Sequence, residues 1–113
     1  MYMIKDLQKI LNLAPTGTFD SLTLAKAVEH SKDTEVIIWV QKFLNSLDHE
    51  VKVGRVKVID DSHCLIFLSG EFDRATRDLL TYFQKEYWMY KRIPVTAQLD
   101  SDTWELISAY LES

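Results

Sequence analysis

Two pairs of neighbouring carboxylates are the residues that could carry out hydrolysis. Asp60 and Asp61 are adjacent, and Asp100 and Asp102 are two positions apart. Carboxylates on either side of a glycosidic bond can act as a general acid and as a nucleophile or base. Aspartate is, however, also expected at a turn, where the first pair lies, and at a helix start, where the second pair lies. The sequence therefore favours structural roles for both pairs.

The histidines and the cysteine offer little else for catalysis or metal binding. The three histidines, His30, His49 and His63, form no HxxxH or HExxH pattern, so we expect no metal site. The single cysteine, Cys64, cannot form an intramolecular disulfide. Since neighbours in a strand point to opposite faces, His63 and Cys64 are not expected to form a catalytic dyad. We expect a protein that is not an enzyme and binds no cofactor.

Length and charge exclude several further classes. The chain of 113 residues suits a single domain over 1–113. Its formal net charge of −4 argues against a nucleic-acid partner, because phosphate binding needs a concentrated basic surface. No stretch approaches the roughly 20 apolar residues of a membrane helix, so no membrane insertion is expected. Lys5, Asp6 and Lys9 interrupt the start of the chain, which therefore lacks the pattern of a signal peptide.

Apolar residues at helical spacing predict about five helices. The first covers about residues 3–12 and the second about 20–32. A third begins at Asp33 or Thr34, and its apolar stripe runs to Leu47. A long, aromatic-rich helix is predicted over about 73–91, followed by a last one that begins at Asp100 or Ser101 and ends near Leu111.

The segment between the third and fourth helices predicts a small sheet. The stretch "VKVGRVKV" (51–58) alternates apolar and charged residues around Gly54 and Arg55, which favours a hairpin with a type II′ turn. "CLIFL" (64–68) is typical of a third, buried strand. We expect a three-stranded antiparallel β-insert over about 50–68. The predicted fold class is therefore mainly α with an added sheet (α+β).

An eight-residue phrase occurs three times: "TGTFDSLT" (16–23), "SGEFDRAT" (69–76) and "TAQLDSDT" (96–103). In each copy the aspartate stands where a helix should begin, so it is predicted to be the N-cap. The threonine three residues later can bond back to the cap. The predicted capping residues are Asp20, Asp73, Asp100, Thr23, Thr76 and Thr103. The apolar residue just before each aspartate is expected to pack on the residue four positions after that aspartate.

A second repeated motif predicts a duplicated helical unit. "LQKILN" (7–12) recurs as "VQKFLN" (40–45). We interpret the chain as a partial helical repeat over 3–31, followed by a second repeat over 34–112 that contains the β-insert 50–68.

These motifs resemble the peptidoglycan-binding-domain-like family of three-helix modules. The second repeat carries "VQKFLN", "SGEFDRATRDLLTYFQKEYW" and "IPVTAQLDSDTWELI", and the first carries "LQKILNLAPTGTFDSLTLAKAV". The sequence departs from the family at Val95-Thr96-Ala97, where "VTG" is usual, and in the β-insert. The resemblance implies a helical core whose relatives bind peptidoglycan beside a catalytic domain, and places Trp104 in the core. The matched residues are mostly caps and core, so they indicate the fold more than the ligand.

Candidate contact residues lie outside the repeated phrase. Aromatic rings with polar groups suit sugars and protein interfaces, and the hairpin adds a basic rim. The candidate ligand or partner surface comprises Trp88, Met89, Tyr90, Arg92, Trp39, Lys52, Arg55 and Lys57. Two alternatives remain open: the aromatic helix could be covered on both sides by the rest of the chain, and the rim could be an ordinary solvated surface.

Two functions agree with these patterns. The first is a non-catalytic binding protein that recognises bacterial cell wall. Without an export signal, it would be made in the cytoplasm and released by lysis or carried in a particle, as expected of a phage-encoded protein. The alternative is the same fold reused for protein–protein contact, as a virion or baseplate component or a small inhibitor. A third class is a small hydrolase.

Overall fold

The computed structural model describes residues 4–47, 66 and 68–112. These residues form five helices. In chain order they are α1 (Ile4–Ile10), α2 (Ser21–Glu29), α3 (Thr34–Asn45), α4 (Arg74–Glu86) and α5 (Ser101–Leu111). Each predicted helix is present, and apart from the end of α4 the boundaries lie within about three residues of the expected ones.

The predicted α+β fold class is wrong, because the described residues are all-helical and contain no strand. The hairpin predicted over 51–58 lies outside the described residues. So does most of the third predicted strand. Ile66 and Leu68, which were assigned to that strand, are described and are not in a strand.

A side chain takes the place of a strand partner at Ile66. The Ile66 N–H donates to Oδ1 of Asn45 at 2.9 Å, and Nδ2 of Asn45 donates to the Ile66 carbonyl at 3.0 Å. Main-chain polar groups in a folded protein need partners, but any suitable amide can supply them. The apolar run "CLIFL" therefore did not require a neighbouring strand at this residue.

The core lies around α3, on which α1 and α4 pack, while α2 packs on α5. Aromatic rings join the helices: Trp39 of α3 is 6.0 Å from Trp104 of α5, and Phe43 of α3 is 5.3 Å from Phe83 of α4, measured between ring centroids. Trp104 is fully buried, as the family resemblance implied. Burial of such rings contributes roughly 2–3 kcal/mol each.

Helix α4 ends earlier than predicted. The helix was expected to continue to about Lys91, but its last residue is Glu86, and Tyr87 is its C-cap. A turn follows, in which the Tyr90 N–H donates to the Tyr87 carbonyl at 3.1 Å. The turn brings the Tyr90 ring to 5.2 Å from that of Tyr110. Tyr90, which the local pattern assigned to α4, therefore contacts a ring of α5 from a turn. Within the described residues, no helix has the length and apolar character needed to cross a bilayer.

Candidate functional site: a groove between two repeated loops

The aspartate and threonine of each repeated phrase form a helix cap. The threonine N–H donates to the aspartate Oδ1 at 2.9 Å in the first copy, 3.0 Å in the second and 2.9 Å in the third. The threonine hydroxyl lies 2.7 Å from the same oxygen in every copy. The predicted pairs are therefore present: Asp20 with Thr23, Asp73 with Thr76, and Asp100 with Thr103.

These contacts lower the pKa of all three aspartates. For Asp20 and Asp73 the main cause is the bond from the threonine hydroxyl, followed by the threonine N–H. For Asp100, partial burial is the largest influence and raises the pKa, but bonds from Thr103 and Thr96 together outweigh it. The carboxylates are consequently held in the charged form, which also suits the positive end of a helix.

A buried glutamine from the preceding helix binds each copy of the phrase. Its Oε1 accepts from the second residue of the phrase, which has positive φ: Gly17, Gly70 or Ala97. Its Nε2 donates to the capping threonine, at 3.0, 2.8 and 2.6 Å in the three copies. The three glutamines, Gln8 in α1, Gln41 in α3 and Gln84 in α4, are almost completely buried.

This role of the glutamines was not predicted from the sequence. The available signal was the dipeptide Gln-Lys, which occurs at 8–9, 41–42 and 84–85. Uneven spacing concealed it, because the glutamine stands 8, 28 and 12 residues before the first residue of the phrase. The contact between a glutamine and a loop occurs three times, whereas the sequence patterns predicted two repeats. Because it satisfies the main-chain groups of the loops, this contact is structural.

An open groove lies between the second and third copies of the loop. We call the first four residues of each phrase loop A (16–19), loop B (69–72) and loop C (96–99). The groove has a volume of about 760 Å³ and is walled by loop B, loop C and the junction between α2 and α3. Phe72 and Leu99, both half-buried, supply its apolar surface. Hereafter this is the two-loop groove.

Charged side chains of both signs line the two-loop groove. Lys32 enters from the α2–α3 junction, Arg77 from the first turns of α4, and Glu71 from loop B. The Arg77 guanidinium lies 5.6 Å from the centroid of the Phe72 ring. Within the described part of the chain, none of the three charged groups forms an ion pair. They are therefore available to a ligand. From the sequence, Phe72, Leu99 and Arg77 were assigned packing roles around the helix caps, and no groove between the loops was predicted.

Part of the predicted contact surface is present at the turn after α4. Trp88, Met89 and Tyr90 are exposed, by 55%, 63% and 39%. The Arg92 guanidinium lies 5.5 Å from the centroid of the Trp88 ring. The turn thus places four of the predicted residues together on the surface, and we call residues 88–92 the aromatic turn.

The structure does not place the other candidates with them. Trp39 is buried, with 1% exposure, because it packs between Phe43 and Trp104; its assignment to the contact surface was wrong. Outside the described residues lie Lys52, Arg55, Lys57, His49, Asp60, Asp61, His63 and Cys64.

The described residues offer no constellation for metal binding: no cluster of three or more histidine, cysteine, aspartate or glutamate side chains occurs among them. His30 is partly exposed and lies 2.8 Å from Asp33. None of the family models, curated proteins or solved structures compared with the chain matches it.

Proposed function

We propose that the protein is a non-catalytic binding protein that recognises bacterial cell wall. The supporting observation is the two-loop groove. Its volume of about 760 Å³ falls in the range of small-molecule sites, about 300–1,000 Å³. Apolar side chains lie there together with charged groups that form no ion pair in the described chain. Wall polymer presents sugar rings, peptide groups and charged substituents, which match such a lining.

The state of the capping aspartates supports the absence of catalysis in this proposal. A glycosidase general acid must be protonated near neutral pH, which requires a raised pKa. The pKa of Asp100 is instead lowered, and its Oδ1 already accepts from Thr103. The same holds for Asp20 and Asp73. These carboxylates suit helix capping better than proton donation.

Sedimentation with purified peptidoglycan sacculi tests the proposal. The protein should pellet with sacculi in a saturable manner at low salt and should remain in the supernatant with microcrystalline cellulose, an insoluble polymer that lacks peptides. Labelled sacculi should release no soluble fragments. If the protein stays in the supernatant with sacculi at low salt, wall recognition is wrong.

The aromatic turn favours the alternative function, protein–protein contact. Adjacent exposed Trp88 and Met89 are unusual on a free surface, and tryptophan is enriched at binding hot spots. This alternative predicts a stoichiometric partner that co-purifies with the protein and is lost with a Trp88→Ala, Met89→Ala double variant. Loss of sacculus binding in that variant would instead place the turn in the wall site.

A further inference from the structure

The three copies of the phrase differ at the fourth residue after the capping aspartate. This residue is Leu24 in the first copy, Arg77 in the second and Trp104 in the third. Leu24 packs against the core and Trp104 is fully buried. Arg77 is exposed and lines the two-loop groove. The second copy thus has a cation where the other two have apolar packing residues.

The residue before the aspartate differs in a corresponding way. Phe19 of the first copy is buried, with its ring 6.2 Å from that of Trp104. Phe72 of the second copy is only half-buried. The Arg77 guanidinium lies over its ring, 5.6 Å from the ring centroid. An aromatic ring under a guanidinium is attractive and restricts the orientation of the side chain. The two residues together hold a cation at the edge of the groove.

Arg77 differs from its neighbour Arg74 in having no carboxylate partner. Arg74 lies 3.7 Å from Asp78 on the same helix. Arg77 makes no ion pair in the described part of the chain. Lys32 contributes a second cation to the groove, and among the described residues that line it Glu71 is the only one with a carboxylate side chain. The described lining therefore carries an excess of positive charge in a protein whose formal net charge is −4.

We infer that the two-loop groove binds an anionic group of its ligand, with Arg77 as the main contact and Lys32 as the second. A guanidinium presents parallel N–H donors that match a carboxylate or a phosphate. This inference rests on the proposed wall recognition and specifies the group recognised. Bacterial wall offers both anions: carboxylates on its peptides and phosphates on attached polymers.

Sacculus sedimentation with matched arginine variants tests the inference. Arg77→Gln should weaken binding by about tenfold or more, the effect of losing charge-assisted hydrogen bonds. Arg74→Gln, on the same helix but outside the groove lining, should leave binding within about twofold. Lys32→Gln should have an intermediate effect. Thermal unfolding of each variant checks that substitution of the exposed side chain leaves the fold intact.

Chemically treated sacculi identify the anion. Sacculi stripped of phosphate polymers by hydrofluoric acid should lose binding if phosphate is recognised, and sacculi amidated with carbodiimide and ammonia should lose it if carboxylate is recognised. Equal binding of the Arg77→Gln and Arg74→Gln variants overturns the inference. So does undiminished binding of the unmodified protein to sacculi that have received both treatments. Either result leaves wall recognition standing. Failure of the unmodified protein to bind any sacculi overturns both.

Discussion

Gln41 and Thr76 lie 35 residues apart in the chain and are joined by a buried hydrogen bond of 2.8 Å from Nε2 of Gln41 to the threonine hydroxyl. The same amide accepts from the Gly70 N–H at 3.1 Å and donates to the Glu71 carbonyl at 3.1 Å. One side chain of α3 therefore organises loop B and the start of α4, which together form one wall of the two-loop groove.

Gln41→Leu should lower the free energy of unfolding by about 2–4 kcal/mol. The substitution keeps the volume but leaves the Gly70 N–H and other buried polar groups without partners, and each such group costs about 1–3 kcal/mol. The control is Gln98→Leu, since the Gln98 side chain is exposed; it should change stability by less than about 0.5 kcal/mol. Urea denaturation measures both, and equal values would show that the buried amide contributes little.

Gly70→Ala should destabilise the protein more than Gly17→Ala. Both glycines have positive φ, +74° and +82°, so both variants incur roughly 1–2 kcal/mol of backbone strain. A Cβ at Gly70 would lie 2.5 Å from the methyl carbon of Thr34, whereas one at Gly17 would lie 3.1 Å from the flexible end of Lys5. We expect a further loss of about 1–2 kcal/mol for Gly70→Ala alone. Chemical denaturation of the two variants gives the comparison, and a Gly17→Ala loss as large would contradict it.

Ala97→Gly should stabilise the protein by about 0.5 kcal/mol. Ala97 has a φ of +59°, in the left-handed region that glycine occupies readily, and relief of this strain should exceed the entropy cost of glycine. The same change at Ala25, in the middle of α2 and exposed, should destabilise by about 1 kcal/mol. Thermal unfolding should therefore move in opposite directions for the two variants. A destabilised Ala97→Gly protein would show that the turn carries no strain.

The caps should make stability depend on pH below about pH 4. The folded-state pKa of Asp73 is lowered by Thr76, so the unfolded chain binds more protons in acid. The stability that the charged Asp73 cap contributes is fully present above the pKa of the unfolded chain, about 3.9. It is lost as the pH falls through the lowered pKa of the folded state. Asp73→Asn, which can still cap the helix, should reduce this pH dependence. Denaturation of both proteins between about pH 2 and 6 measures the difference, and an unchanged pH dependence in Asp73→Asn would show that this cap does not contribute to it.

Trp88 should dominate the solvent-accessible fluorescence of the protein. Of the three tryptophans, Trp88 is 55% exposed, whereas Trp39 and Trp104 are 1% and 0% exposed. Trp88→Phe should remove most acrylamide-quenchable emission and change stability by less than about 0.5 kcal/mol. Trp104→Phe should cost about 2–3 kcal/mol, because it opens a cavity and removes the 2.8 Å bond to Ser31. Undiminished quenching in Trp88→Phe would mean that this ring is covered in solution.

The helix starts could be predicted from the sequence because a cap is a local interaction. Asp73 and Thr76 are three residues apart, and their contact requires only that a helix begins between them. The same reasoning gave the other two caps. Apolar spacing also predicted all five helices, since a buried stripe follows from the helical period alone.

Local patterns failed where a distant side chain decided the outcome. Ile66 was assigned to a strand, but its main chain bonds to the Asn45 side chain. Residues after Glu86 were assigned to α4, but Tyr90 packs on Tyr110 of α5. Local apolar patterns indicate which residues prefer burial. They do not identify the distant residue that packs on them.

The sequence by itself determined the five helices and three of their N-caps, because neighbours in the chain must be neighbours in space. Only the tertiary structure decided which glutamine binds which loop and that Lys32 and Arg77 line one groove. These residues are 45 positions apart, and their proximity depends on how α2, α3 and α4 pack. Such packing is fixed by the combined burial of many apolar side chains, among them Trp39, Phe43 and Trp104.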